Sequence, residues 1–221
     1  MKSKKSWGQL DMKFKLSNIC HYVNEKVNVS GLDKMTYIST ENMLSNKAGV
    51  TEATTLPTTI QTQIYEKNDI LVSNIRPYFK KIYFANQNGG CSNDVLVFRA
   101  NEGIEPIFLY YVLADDKFFN YAMTTSKGTK MPRGDKKALM EFRVPDFDIN
   151  IQRKVSSILG NIDAKINLNK KINKNLEQQA QTLYKDRFID MGQFDGVLPS
   201  DWHFDTISEI IELHDSMRIP L

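Results

Sequence analysis

Hydrophobic and polar positions follow two different rhythms along this chain, and the change comes near residue 150. Before it, short runs rich in Val, Ile, Tyr and Phe occur at Met35–Thr40, Asp69–Ile75, Lys81–Ala85 and Asp94–Ala100, with turn residues such as Asn88-Gly89-Gly90 between them. Runs of β-branched and aromatic residues bounded by such turns predict strands. Their close spacing suits antiparallel neighbours, because parallel neighbours need a long crossover. Pro106 suits a first helical turn, and Phe108, Tyr111, Val112, Phe119 and Ala122 recur at helical spacing. A helix facing a core is therefore predicted from about Pro106 to about Met123. A shorter helix through Lys136-Lys137-Ala138-Leu139-Met140 has Asp135 as a good N-cap and is closed by Pro145.

From Ile151 the rhythm becomes helical throughout. About 40 residues follow without proline, and Gly160 is their only glycine. Apolar residues alternate in steps of four and three through Val155, Leu159, Ile162, Ile166, Leu176, Ala180 and Leu183, with Asn169 and Asn173 at the two intervening places. That is a heptad seam with two polar positions in its middle. Ile158, Leu168 and Ile172 widen the stripe. A helix of this length spans about 60 Å and needs a partner helix to cover its stripe. Met191-Gly192 supplies a stop.

The predicted class is α+β: a mixed, largely antiparallel sheet with helices over residues 1–150, then a long coiled-coil helix over residues 151–190. Residues 191–221 carry a possible internal repeat. Ile207-Ser208-Glu209-Ile210 repeats the pattern of Leu16-Ser17-Asn18-Ile19, and each copy follows a tryptophan, Trp202 or Trp7. The chain therefore reads as restarting its first domain near its end.

Charge sharpens this picture. Residues 1–150 hold 20 Lys+Arg against 16 Asp+Glu, residues 151–190 hold 8 against 4, and residues 191–221 hold 1 against 6. An acidic tail of −5 thus hides a basic body of +8 within the total of +3. A basic body fits a polyanionic partner. The cations concentrate in two loops. Ser73-Asn74-Ile75-Arg76-Pro77-Tyr78-Phe79-Lys80-Lys81 combines Arg for guanine edges or phosphate, Asn for adenine and Lys for phosphate. Asn74, Arg76, Tyr78, Lys80 and Lys81 are its candidate DNA contacts. The second loop, Ser126 to Lys137, holds five cations and one acid in 12 residues; its candidates are Lys127, Thr129, Lys130, Arg133, Lys136 and Lys137. Gly128 and Gly134 permit close backbone approach. A solvated turn and a ligand-free basic loop are the bland alternatives. The threonine-rich stretch Thr51 to Thr62 reads as a polar surface loop, with DNA-backbone contact as the lesser alternative.

Several classes of chemistry find no support. The order G-x-x-x-x-G-K-[ST] is absent, as are G-x-S-x-G, H-E-x-x-H and a dinucleotide glycine motif. His21, His203 and His214 are scattered, Glu66 and Asp69 stand in no nuclease-like order with a lysine, and Cys20 and Cys91 read as reduced structural thiols. No metal site and no catalytic residue are expected. No apolar run is long enough for a membrane-spanning helix, and no signal-type stretch follows the basic Met1–Leu10, so a cytoplasmic location is expected.

These residues together resemble a specificity subunit of a Type I restriction-modification system. The carriers are Tyr37-Ile38-Ser39-Thr40-Glu41-Asn42-Met43, Asp69 through Pro77, Gly90-Cys91-Ser92-Asn93-Asp94, Ser126-Lys127-Gly128-Thr129 through Arg133, and Gln152-Arg153-Lys154 opening the long helix. The resemblance implies a non-catalytic target recognition domain at residues 1–150 that reads one half of a split double-stranded DNA site. It implies a spacer helix at 151–190 that pairs antiparallel and docks methylation subunits, and the start of a truncated second recognition domain at 191–221. Restriction subunits would join the complex. S-adenosylmethionine, ATP and Mg would be used by those partners, and no cofactor by this chain. The half-length form predicts a homodimer through Val155, Leu159, Ile162, Ile166, Asn169, Asn173, Leu176, Ala180 and Leu183. A coiled-coil adaptor whose globular domain binds protein is the alternative, and a fused nuclease or methyltransferase fragment a more distant one.

Overall fold

The computed structural model describes residues 14–203 and 205–212; Met1–Leu10 (with Trp7), Phe204 and His214 lie outside the described residues. The chain divides into two compact units, Met1–Ile162 and Asp163–Leu221.

Three layers build the first unit. Strands β1 (Phe14–Lys15), β2 (Cys20–Tyr22), β3 (Lys26–Asn28), β4 (Tyr37–Ile38), β5 (Gln61–Tyr65), β6 (Ile70–Ser73), β7 (Ile82–Phe84), β8 (Gly89–Cys91), β9 (Val95–Ala100) and β10 (Arg143–Val144) alternate with helices. These helices are α1 (Leu16–Ile19), α2 (Pro106–Ala114), α3 (Asp116–Thr124), α4 (Lys136–Leu139) and the long α5 (Ile149–Tyr184). A central antiparallel sheet runs in the order β2-β9-β6-β7, and a second sheet in the order β3-β5-β8-β4. The β4–β8 pair is parallel, whereas the other pairs are antiparallel. β1 and β10 form a separate two-stranded pair.

The central sheet is covered on both faces, and this explains why β6 and β9 read as unbroken apolar runs. Ile70, Val72, Leu96 and Phe98 pack toward Leu109, Leu113, Phe118 and Phe119 of α2 and α3. Their neighbours Leu71, Val95 and Val97 pack on the opposite face with Ile38, Met43, Tyr65 and Cys91. One strand with period-two side chains thus serves two cores. Cys20 and Cys91 are free and buried, and burial pushes both thiols up to about 12, as for inert core residues.

Three sequence expectations need correction. The single helix from Pro106 to Met123 is two helices. The Asp115 backbone turns extended, and its carboxylate caps α3 by accepting from the Lys117 N–H at 2.9 Å. The break resets the helical phase, so Phe108, Leu109, Leu113, Phe118, Phe119 and Ala122 are buried, while Tyr111 and Val112 are half-buried. Gly89-Gly90 is a strand rather than a turn. A β-carbon on Gly89 would stand 2.2 Å from the Thr36 carbonyl and 2.4 Å from the Tyr65 hydroxyl, so the glycine permits close packing of backbones. Finally, the threonine-rich loop ends one strand early: Thr62 lies buried in β5 and donates to the Cys91 carbonyl at 2.5 Å.

The start of α5 is tied to the first unit. Asp148 caps it by accepting from the Asn150 and Ile151 amides at 2.9 and 3.1 Å. Buried Gln152 accepts from the Glu105 amide at 3.0 Å and donates to the Phe147 carbonyl at 2.8 Å. Gln152 and Ser156 are the buried residues of the helix, and from Ala164 on it is exposed.

In the second unit α5 passes into a π turn, Lys185–Ile189, and Met191 follows with a left-handed backbone (φ 51°). Phe188 stacks on Trp202 at 6.0 Å between centroids, and Phe194 meets the same indole edge-on at 5.7 Å. Then comes helix α6 (Ile207–Ile210), a local copy of α1. In both, an extended residue precedes four helical ones, and its amide donates to the side chain three positions on: Lys15 to Asn18 at 2.8 Å, Thr206 to Glu209 at 3.0 Å. In both, the next residue is extended again and its amide returns to the first helical carbonyl. The two segments thus share one local conformation.

Candidate nucleic-acid interface

The two basic loops, more than 40 residues apart in sequence, meet in space. Ile75 and Arg133 form an antiparallel bridge, as do Lys127 and Arg133. The Arg76 amide donates to the Pro132 carbonyl at 2.8 Å, and the Gly134 amide to the Asn74 carbonyl at 3.2 Å. Gly134 makes this possible, since a β-carbon there would sit 2.9 Å from Asn74 Oδ1. Gly128 takes φ +91°, a region L side chains rarely adopt. Asp135 fulfils its capping role by accepting from the Lys137 and Ala138 amides at 2.9 and 3.2 Å.

The first loop is shaped by two non-glycine residues in left-handed conformation. Arg76 (φ 50°) and Lys80 (φ 51°) flank the single 3₁₀ turn Pro77–Phe79. This turn thrusts Tyr78 and Phe79 outward, both exposed, with their rings 4.6 Å apart. Left-handed backbone at such residues is strained and clusters at functional sites. Asn74 Oδ1 and Arg76 Nε are buried and lack a hydrogen-bond partner, which is uncommon for buried polar atoms.

A third segment joins them, Asn46-Lys47. The Asn46 and Lys47 amides donate to the Phe79 and Lys80 carbonyls at 2.8 and 3.0 Å. Lys47 and Lys80 then share Asp116 at 2.7 and 2.9 Å, and these two ammonium groups hold its carboxyl down to about 2. Only pairing in three dimensions brings Lys47 here; its sequence neighbourhood carries no basic cluster.

The predicted contacts fall into two sets. Lys81 donates to the Thr40 carbonyl at 2.6 Å and lies 5.7 Å from the Phe79 ring centre, so it braces the loop. Lys80 is engaged with Asp116, Lys127 with Asp135 at 2.7 Å, and Arg133 with Asp94 at 3.1 Å. Hydrogen bonding from Lys127 lowers the Asp135 carboxyl, and that of Asp135 raises the Lys127 ammonium. Thr129, Lys130, Lys136 and Lys137 are exposed, and these three lysines form no ion pair among the described residues. The surface therefore presents exposed cations, two aromatic rings and a set of weakly held ion pairs that a polyanion can exchange.

Other motif residues are structural. Asn42 is buried; its Oδ1 accepts from the Ser39 amide at 2.7 Å, and its Nδ2 donates to the Tyr37 and Thr51 carbonyls. Asp69, 2% exposed, receives Arg99 through two bonds of 2.8 Å. That hydrogen bonding raises the Arg99 guanidinium. Glu66 joins the same arginine at 3.0 Å, so this acidic pair anchors a strand. His21 bonds Asn101 at 2.8 Å, and His203 pairs with Asp205. Among the described residues no cluster of three or more His, Cys, Asp or Glu side chains is placed to hold a metal ion, and no helix is long and apolar enough to cross a membrane.

Along α5 the seam residues Ile162, Ile166, Leu176 and Leu183 are 51%, 46%, 56% and 58% exposed. Val155 and Leu159, within the first unit, are half-buried, and Asn169, Asn173 and Ala180 are exposed.

Comparison with known proteins gives a consistent answer. The family model described as "Type I restriction modification DNA specificity domain" matches residues 11–178. The Type I restriction enzyme HindI specificity subunit of Haemophilus influenzae is 28% identical over 188 residues, 80% of this chain and 40% of that protein. The HsdS subunit from Thermoanaerobacter tengcongensis superposes with a TM-score of 0.55 at 18% identity, covering 78% of this chain and 47% of that one. The Type I restriction-modification S subunit from M. genitalium gives 0.53 at 17% identity, covering 78% and 44%. The two structural likenesses concern the fold. The chain spans less than half the length of the curated relatives it matches.

Proposed function

Since this chain belongs to the family of Type I restriction modification DNA specificity domains, we propose that it reads one half of a split DNA site and directs partner subunits to it. The observation that carries this reading is the fusion of the two basic loops into one surface through the Ile75–Arg133 and Lys127–Arg133 bridges. Lys127, Lys130, Lys136 and Lys137 supply phosphate contacts, while Asn74, Arg76 and Arg133 supply base edges or phosphate. Tyr78, Lys80, Lys81 and Thr129 complete the surface. Residues 1–150 act as the recognition domain, 151–190 as the spacer and 191–221 as the start of a second recognition domain. Methylation and cleavage lie with methylation and restriction subunits, which use S-adenosylmethionine, ATP and Mg.

The exposed stripe of α5 is completed by a second copy running antiparallel. Asn169 of each copy then meets Asn173 of the other, which satisfies both amides and fixes the register. A dimer of this kind reads a two-fold symmetric, interrupted target.

The test is binding of labelled duplex DNA across a salt series, beside the light-scattering mass. The expected result is twice the single-chain mass and a log affinity that falls linearly with log salt, by about 0.9 for each phosphate contact per tenfold rise in salt. Binding to protein with no salt-dependent grip on duplex DNA, in the presence of a methylation subunit, overturns the reading in favour of an adaptor.

A further inference from the structure

A cleft of about 220 Å³ opens beside the first turns of α5, lined by Phe108, Tyr111, Val112, Phe142, Val155 and Leu159. Two of its walls, Val155 and Leu159, are seam residues, so the cleft lies where the seam passes the globular unit. Its remaining lining includes Asp115 and Lys117, polar neighbours suited to a hydroxyl at the end of an apolar ring.

The heptad register says what reaches it. Counted along the seam, Val155, Ile162, Asn169 and Leu183 are d positions, Leu159, Ile166 and Asn173 are a positions, and Ser156 and Tyr184 are both e positions. In the register that joins Asn169 to Asn173, Leu159 of one copy faces Leu183 of the other. A shift of one heptad either way sets the asparagines against Ile166 and Ile162, or against Ala180 and Leu176, and leaves amides unpaired in an apolar seam. The two-fold axis of such a pair is perpendicular to both helices, so it carries each flank of the seam to the same side in both copies. The e flank is the flank that faces the globular unit: Ser156 is buried there, and a β-carbon on Gly160 would lie 3.9 Å from the Tyr111 hydroxyl. In that register Tyr184 of the other copy, 59% exposed, falls on that same flank within about one helical turn of Ser156.

We propose that Tyr184 of a second copy of this chain docks into the cleft beside Val155 and Leu159. The inference rests on the paired-helix reading above and extends it. The contact clamps the globular unit of one copy with the helix end of the other, and thereby sets the angle at which each recognition surface is held over DNA.

Mixed cysteine variants test this in the full chain, because Cys20 and Cys91 are buried. Tyr184→Cys mixed with Val112→Cys is expected to oxidise to a covalent dimer, whereas either variant alone gives none; a disulfide requires α-carbons within about 7 Å. Independently, Tyr184→Ala is expected to weaken the dimer about tenfold or more, with Lys171→Ala, on the opposite face of the helix, at the wild-type constant. A dimeric wild type with no mixed cross-link and an unchanged constant for Tyr184→Ala overturns the docking and leaves the paired helices standing. A wild type that stays monomeric at tens of micromolar overturns both.

Discussion

The globular unit and the long helix handle the same kind of residue in opposite ways. In β6 and β9 every apolar side chain from Ile70 to Val72 and from Val95 to Phe98 is buried, because one sheet is covered on both faces. In α5 apolar residues are as regularly spaced, yet Ile158, Ile166, Ile172 and Leu176 remain exposed. A sheet with layers on both sides satisfies itself within one chain. A single helix 36 residues long presents its stripe to solvent and finds no cover for it within its own turns. The contrast teaches that burial in this molecule is divided: the sheet closes its own apolar faces, whereas the long helix leaves its stripe uncovered.

The largest expected effect separates the two regions directly. Phe98→Ala, in the core between the central sheet and α3, is expected to cost about 3–5 kcal/mol in a denaturant titration. Leu176→Ala is expected to leave the unfolding of a dilute single chain within about 0.5 kcal/mol, while lowering its tendency to associate. Equal losses in dilute solution would break the comparison.

An intermediate effect lies at the root of the helix. Gln152→Ala strips a partner from both the Glu105 amide and the Phe147 carbonyl. The expected loss is about 1–3 kcal/mol, read as a lower unfolding midpoint at unchanged slope. A changed slope would mean that the root of α5 melts separately from the unit it is latched to.

The smallest effect concerns the loop tips. Asp116 is held at about 2 by Lys47 and Lys80, against an ordinary value of 3.8. Its folded value lies below its unfolded one, so its contribution is present above pH 3.8 and is lost as pH falls toward 2. An NMR titration of the Asp116 carboxyl should show a midpoint near 2 that returns toward 3.8 in the Lys47→Ala, Lys80→Ala double variant. A midpoint unmoved by removing both lysines would dissolve the third arm of the basic surface.

Legibility differed from element to element for physical reasons. The strands at β6, β7 and β9 were readable because β-branched and aromatic runs have few other uses. α5 was readable because a heptad seam is periodic, and Asp135 because a cap acts on its own neighbours. The short helices at Leu16 and Ile207 share one local conformation, since the amide-to-side-chain bond that shapes each spans three residues. By contrast, Gly89-Gly90 resembles a turn until Tyr65 and Thr36 are laid against it. The break at Asp115 competes with a helical pattern that reads equally well unbroken. Lys47 carries no local sign of the loops it joins. Of the motif residues, Asn42, Asp69 and Gln152 proved to be buried hydrogen-bonding anchors, which their letters do not distinguish from surface contacts.

Local chemistry was therefore enough for the α+β class, the long amphipathic helix and the two basic loops, because periodicity, capping and charge density act over a few residues. That the loops form one surface, that one sheet divides two cores and that a cleft stands beside the seam were decided only by tertiary structure. Each depends on contacts between residues dozens of positions apart, and no spacing along a chain encodes the distance between such residues in space.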